Sequence, residues 1–283
     1  MTESQNMMLQ MMQWFDNICR NNNLSYYIMS GTMLGAIRHK GFIPWDDDAD
    51  IGMPRPDYNK FLEIVEKDTS DKYIVESPKK CKPDYAWPFA KIYNKDTTVV
   101  EKSGTPIARG VWIDIFPLDG IGCNIASVLY KYIKIRLLLK ILKMNKLENK
   151  KRSLFKRAVL FIFMQTINKL YSNQNLIKKI DTVYSEKDYL KSKLIGDLVW
   201  GRGATGVMLK SIWGKPTEYE FCGSMLYGIE KYDMYLKKIY GNYMELPPVE
   251  KRVNHELVYV DLKHGWQSQF SKKALNSLKM KRQ

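Results

Sequence analysis

The sequence predicts an α+β fold, and three observations carry that expectation. Short β-prone runs alternate with helical periodicity as far as Gly122; the pattern then turns wholly helical, without Gly or Pro, from Asn124 to Tyr189; the C-terminal third returns to mixed structure. With 283 residues, 45% hydrophobic and 12% aromatic, the chain has enough apolar surface to bury a core. In residues 3–21, Met8, Met11, Met12, Phe15, Ile18 and Cys19 recur at three and four, the spacing of an amphipathic helix, which the run Asn21-Asn22-Asn23 ends. Residues 24–29 read as a strand stopping before Gly31, and 32–38 as a short helical turn. Residues 57–67 form a helix with Asp57 near its start, and strands are expected around 73–76, 89–93, 97–100 and 111–116. A further helix is expected over 231–240, before the loop Leu246-Pro247-Pro248. These elements divide the chain into a core over 1–123, a basic helical insertion over 124–189 and a segment over 190–283 that completes the core.

The formal charge of +15 is local: between Asn124 and Ile180 fourteen Lys or Arg face one acid, Glu148. A nucleic-acid-binding face is not expected from so confined a charge without any recognition motif. Residues 129–147 alternate aliphatic and basic side chains, and a denser basic run follows from Lys150 to Arg157. Two readings stay open for this segment: peripheral contact with an anionic membrane, or a helical cap whose charged face is solvated. Cys19, Cys81, Cys123 and Cys222 are widely spaced and lack a CxxC pair, so reduced thiols are expected rather than a zinc site. No basic segment precedes an apolar leader, and no run reaches the roughly 18 apolar residues of a spanning helix. A cytoplasmic protein, peripheral at most on the inner face of the membrane, is the expectation.

The most informative stretch is Trp45-Asp46-Asp47-Asp48-Ala49-Asp50-Ile51. On a strand, Asp48 and Asp50 project to one side, where their repulsion suits a hard cation shared with phosphate. A solvated acidic loop is the competing reading. An EF-hand is excluded, since the sixth position from Asp46 is Ile51 and the twelfth is Asp57. Upstream, Ser30-Gly31-Thr32 lies between a strand and a helix start, a place that favours an anion. Asp114, inside the apolar run Val111 to Phe116, is costly there unless paired or metal-bound, and is the candidate third carboxylate; an edge-strand Asp is the alternative.

The block from Gly31 through Arg38, His39, Trp45 and the aspartates to Ile51 resembles the signature of LicD family proteins, relatives of fukutin and fukutin-related protein. Shorter stretches at 90–92, 112–120 and 240–248 resemble the family as well. The resemblance implies a nucleotidyltransferase-type mixed sheet flanked by helices, and Mg²⁺ or Mn²⁺ held by Asp48, Asp50 and Asp114, which are also the implied catalytic residues. It implies phosphate or nucleotide contacts at Gly31, Thr32, Arg38, His39 and Lys91. The implied reaction moves phosphocholine from CDP-choline, or glycerol or ribitol phosphate from its CDP donor, to a sugar of a glycan, polyprenyl-linked glycan or teichoic-acid precursor. Tyr85, Trp87, Phe89, Tyr93 and Trp112 are candidates for a choline cage or for the core; Trp45, Glu220 and His255 complete the candidate substrate contacts. Cys222 stands where the pattern carries an acid before Gly223. A DxD glycosyltransferase and a noncatalytic polyanion- or lipid-binding protein are the competing functions; only 47 residues precede Asp48, few for the nucleotide-binding half that the former needs.

Overall fold

In a computed structural model, residues 1–67, 70–80, 85, 87–101, 107–144, 172–198, 203–252, 257–269 and 271 are described. The first helix, α1 (Glu3–Asn21), is the one the periodicity predicts. Thr2 caps it by accepting the Gln5 N–H, while the Gln5 side chain accepts from the Thr2 N–H, a reciprocal capping box. Its apolar stripe, including Met8, Met11, Met12 and Phe15, is buried in the main core.

Seven strands form the spine of a mixed sheet: β1 (Tyr27–Ile28), β2 (Asp50–Pro54), β3 (Tyr73–Glu76), β4 (Ala90–Asn94), β7 (Trp112–Gly122), β10 (Thr217–Phe221) and β11 (Ser224–Gly228). Their order is β10-β11-β1-β2-β7-β4-β3, and β8 (Leu194–Gly196) with β9 (Val207–Leu209) extends the far end of β7. A separate three-stranded sheet joins β5 (Thr98–Glu101), β6 (Ala108–Arg109) and β12 (Leu257–Asp261) in the order β12-β5-β6. C-terminal strands thus complete the sheet begun by the N-terminal half. The chain makes that junction at β1, where Ile28 lies opposite Gly228 in parallel and opposite Ile51 in antiparallel. Strand β7 is longer than expected because its second half, past Leu118, pairs with β8.

Helices α2 (Ser30–His39) and α3 (Arg55–Lys67) flank β2 on either side in sequence. Beyond β7 come α4 (Ile125–Met144) and α5 (Asn173–Tyr184), which pack together over a second core that includes Ile135, Leu142, Leu176, Ile177 and Ile180. The all-helical expectation for 124–189 ends at Tyr184, and residues 145–171, with the basic run at 150–157, lie outside the described residues. Short α6 (Lys210–Trp213) and α7 (Tyr232–Tyr240) precede and follow the β10–β11 hairpin. That hairpin turns on Cys222 and Gly223, both at positive φ (52° and 79°), as a two-residue type I′ turn requires.

Buried charges join the two cores. Arg55 at the start of α3 donates to both carboxylate oxygens of Asp119 on β7, at 2.8 and 2.5 Å, and to Asp181 of α5 at 2.8 Å. Lys131 of α4 donates to the carbonyls of Gly120 and Tyr184 at 2.8 and 2.6 Å. Lys131 is 3% exposed, and burial, partly opposed by Asp119, pulls its pKa down to about 8.

Candidate active site

The β2–β7 register decides where the carboxylates meet. The two strands run parallel with Asp50 opposite Asp114, and β4 runs antiparallel on the other side of β7 with Lys91 opposite Asp114. Three charged residues therefore stand in a row across adjacent strands. Lys91 Nζ lies 2.7 Å from Asp114 Oδ1, with both residues buried. Asp48 differs from expectation: β2 begins at Asp50, so Asp48 sits in the preceding loop and its position does not come from strand alternation.

That loop is held from two sides. Gln5 of α1 donates through Nε2 to the carbonyls of Ile43 and Asp46 at 3.3 and 2.9 Å. From α2, the Thr32 hydroxyl accepts the Asp50 N–H at 2.8 Å. Thr32 is 3% exposed, and its hydroxyl ties α2 to β2. Gly31 lies close to Asp46, since a Cβ there would be 2.7 Å from Asp46 Oδ2 and the carboxylate would have to shift. The first turn of α2 thus has the chain's own carboxylate against it. Ser30, at φ 51°, donates its N–H to the Tyr235 hydroxyl at 3.0 Å, which brings α7 to the same point.

These elements enclose a cavity of about 850 Å³. Ser30, Gly31, Asp46, Asp48 and Asp50 line one side, while Arg38 and Trp45 border it and Tyr235, Tyr240, Tyr243 and Lys251 bring in the C-terminal part. Burial and the neighbouring carboxylates of Asp48, Asp114 and Asp46 hold Asp50 well above the usual carboxylate range, with Lys91 opposing the shift. A carboxylate kept at such a disadvantage is relieved by a cation. Among the described residues, however, no set of three or more His, Cys, Asp or Glu side chains converges as a ready metal site.

Of the expected phosphate contacts, Arg38 reaches the cavity and is also a strap: its Nη1 donates to the carbonyls of Tyr243 and Glu245 at 2.8 and 3.2 Å. Arg38 Nε donates to His39 Nε2 at 3.0 Å. Burial and Arg38 keep the His39 pKa below its ordinary value, so the ring is neutral at pH 7 and orders Arg38. Lys91 lies behind the carboxylates, not on the cavity wall. Its ammonium sits 5.1, 5.7 and 4.6 Å from the ring centroids of Trp87, Phe89 and Trp112, so the aromatic cluster considered for choline encloses a cation of the chain itself. Tyr85 and Tyr93 are core residues. Trp45 borders the cavity with the Arg252 guanidinium 4.7 Å over its ring. Glu220 is exposed on β10 away from the cavity lining, and His255 lies outside the described residues.

Sequence reasoning missed Gln5, Asp197, Trp213 and Tyr235. The capping box Thr2-x-x-Gln5 signals only a helix start; the loop contact of Gln5 is a tertiary event. Asp197, just past β8, is buried on the cavity wall, where the Tyr184 hydroxyl lies 3.1 Å from its Oδ1, 2.6 Å from Gly196 O, and accepts the Leu198 N–H at 2.6 Å. Trp213, also on the wall, buries an indole N–H that finds no acceptor among the described residues.

Fold and site together define a class: an α+β protein whose central sheet presents acidic residues into a cavity beside a helix start. Residues 23–127 match the family model described as LicD/FKTN/FKRP, nucleotidyltransferase domain. The chain is similar to the lipopolysaccharide cholinephosphotransferase LicD of Haemophilus influenzae, with 29% identity over 261 residues, 90% of this chain and 95% of that protein. Uncharacterized proteins of Rickettsia typhi and Rickettsia prowazekii share 46% and 48% identity over 56 residues, 20% of this chain and 18% and 21% of theirs.

Proposed function

We propose that this chain transfers a phospho-alcohol group, phosphocholine from CDP-choline, to a hydroxyl of a cell-surface glycan precursor. The likeness to the Haemophilus cholinephosphotransferase across 90% of the chain carries this reading, because it spans the C-terminal residues of the cavity as well as the acidic loop. Transfer of glycerol or ribitol phosphate uses the same chemistry and is the second reading.

In this scheme the acceptor oxygen attacks the phosphorus that bears choline, the bond from that phosphorus to the bridging oxygen breaks, and CMP leaves. The pyrophosphate and the acidic loop are both anionic, so the donor needs a cation between them. Asp48 and Asp50 would hold Mg²⁺ or Mn²⁺, hard cations that suit carboxylate and phosphate oxygens. Such an ion would neutralise charge on the transferred phosphoryl group. Asp114, engaged by Lys91, contributes negative field next to Asp50. Arg38 and Lys251 offer positive charge at the cavity border for the nucleotide phosphates, while Tyr240 and Tyr243 offer ring surfaces for a quaternary ammonium.

The test is to incubate purified protein with Mg²⁺, a panel of CDP-alcohols and sugar acceptors, and to follow CMP by chromatography. CMP release with CDP-choline, dependent on both acceptor and divalent cation, is the expected result. Release with CDP-glycerol or CDP-ribitol alone would move the assignment to the second reading, and release with none of them would overturn both.

A further inference from the structure

Helix α4 is apolar on two sides. Inward, Ile135 and Leu142 are buried in the second core and Lys131 is clamped to backbone carbonyls. Outward, Ile125, Leu129, Tyr130, Ile133 and Leu137 are 82%, 56%, 64%, 50% and 59% exposed. Four of these positions step by four residues, so they form one continuous row along the helix, with Tyr130 beside it. Isolated exposed apolar residues need no explanation, but five on one face of a monomer do. Arg136 and Lys140 are exposed next to the row, and no acidic residue occurs from Ile125 to Met144. No helix among the described residues is long and apolar enough to cross a membrane.

We infer that the outer face of α4 docks on an anionic lipid surface, its row of apolar side chains entering the boundary between headgroups and acyl chains while Arg136 and Lys140 meet lipid phosphates. Charge complementarity selects this occupant. A second copy of the chain on this face would bring Arg136 and Lys140 against like charges, the acid at this helix, Glu186, already facing Lys134 at 3.8 Å, whereas an anionic bilayer supplies apolar depth and negative charge together. The segment is therefore a cap and a docking face at once: the inner side completes the fold and the outer side remains for the lipid. This inference does not depend on which group the cavity transfers.

Flotation of the full-length protein with vesicles decides the point. Wild type should float with vesicles of phosphatidylcholine mixed with phosphatidylglycerol, and much less with phosphatidylcholine alone. A Leu129→Glu, Ile133→Glu double variant, altered only at exposed positions, should lower the bound fraction about tenfold or more while keeping the thermal unfolding of wild type. Arg136→Glu with Lys140→Glu should weaken binding less, and added salt should do the same. Wild type failing to float with the anionic vesicles, or the double variant floating as wild type does, would overturn the inference. So would a wild-type dimer that the double variant converts to monomer, since the face would then belong to a second copy.

Discussion

The start of β2 and the helix pair treat buried charge in opposite ways. Between β7, α3, α4 and α5, charges are answered: Arg55 bridges Asp119 and Asp181, and Lys131 meets two carbonyl oxygens. At the start of β2, Asp46, Asp48, Asp50 and Asp114 are gathered; burial raises the pKa of both Asp119 and Asp50, but Arg55 opposes the shift at Asp119, while at Asp50 three further carboxylates add to it and only Lys91, which meets Asp114, opposes it. A matched network holds a fold together; a mismatched one, facing a cavity, marks the place where a ligand is expected to supply what the chain withholds.

The largest effect that would sharpen this contrast is loss of Arg55. Arg55→Met leaves Asp119, which is 0% exposed, as an unanswered buried charge and should lower stability by about 3–5 kcal/mol in urea unfolding. A loss under about 1 kcal/mol would show that the network is not a structural clamp. Asp50→Asn should do the reverse. Because the folded state raises the Asp50 pKa, the ionised carboxylate is disfavoured in the fold at pH 7, and removing its charge should leave the melting temperature of metal-free protein unchanged or higher. Transfer activity in the same variant should drop at least about 100-fold, roughly 2.7 kcal/mol of barrier; calorimetry and CMP release read the two sides separately. Retained activity would remove Asp50 from the site.

Smaller effects probe the contact between the two regions. Tyr184→Phe deletes the α5 hydroxyl that accepts the Leu198 N–H and meets Asp197. It should cost about 1–3 kcal/mol of stability and, if α5 positions the cavity wall, also slow transfer; stability loss at unchanged kcat would confine the helix pair to a structural role. Lys131 gives the mildest signal. Its pKa falls from 10.5 to about 8 in the fold, so between those values the unfolded chain binds more protons and stability should rise as pH rises. Melting temperatures across that window should show an increase that Lys131→Met lacks.

Local elements were legible where local physics decides them. The heptad-like spacing of Met8 to Cys19 gave α1 its bounds, and Trp45 to Ile51 announced the acidic loop. Asp48 and Asp50 do come together on the cavity wall, but by a loop held by Gln5 and Thr32, not by strand alternation. The aromatic run from Tyr85 to Trp112 was readable as a group able to surround a cation; that the cation is Lys91 depends on β4 lying beside β7. Asp197 and Tyr235 carried no local signal, since each reaches the cavity through a partner distant in sequence.

The sequence alone determined an α+β chain, the candidate carboxylates, the family resemblance and the confinement of positive charge to one stretch, residues 124–180. Those are properties of residue identity and short-range spacing. Only the tertiary structure decided that Asp50 faces Asp114, that Lys91 is spent inside its own aromatic cage, and that α4 shows an apolar row to solvent. Register between strands, and which side of a doubly apolar helix is buried, are set by contacts between segments far apart in the chain, and a periodicity of two or 3.6 residues cannot encode them.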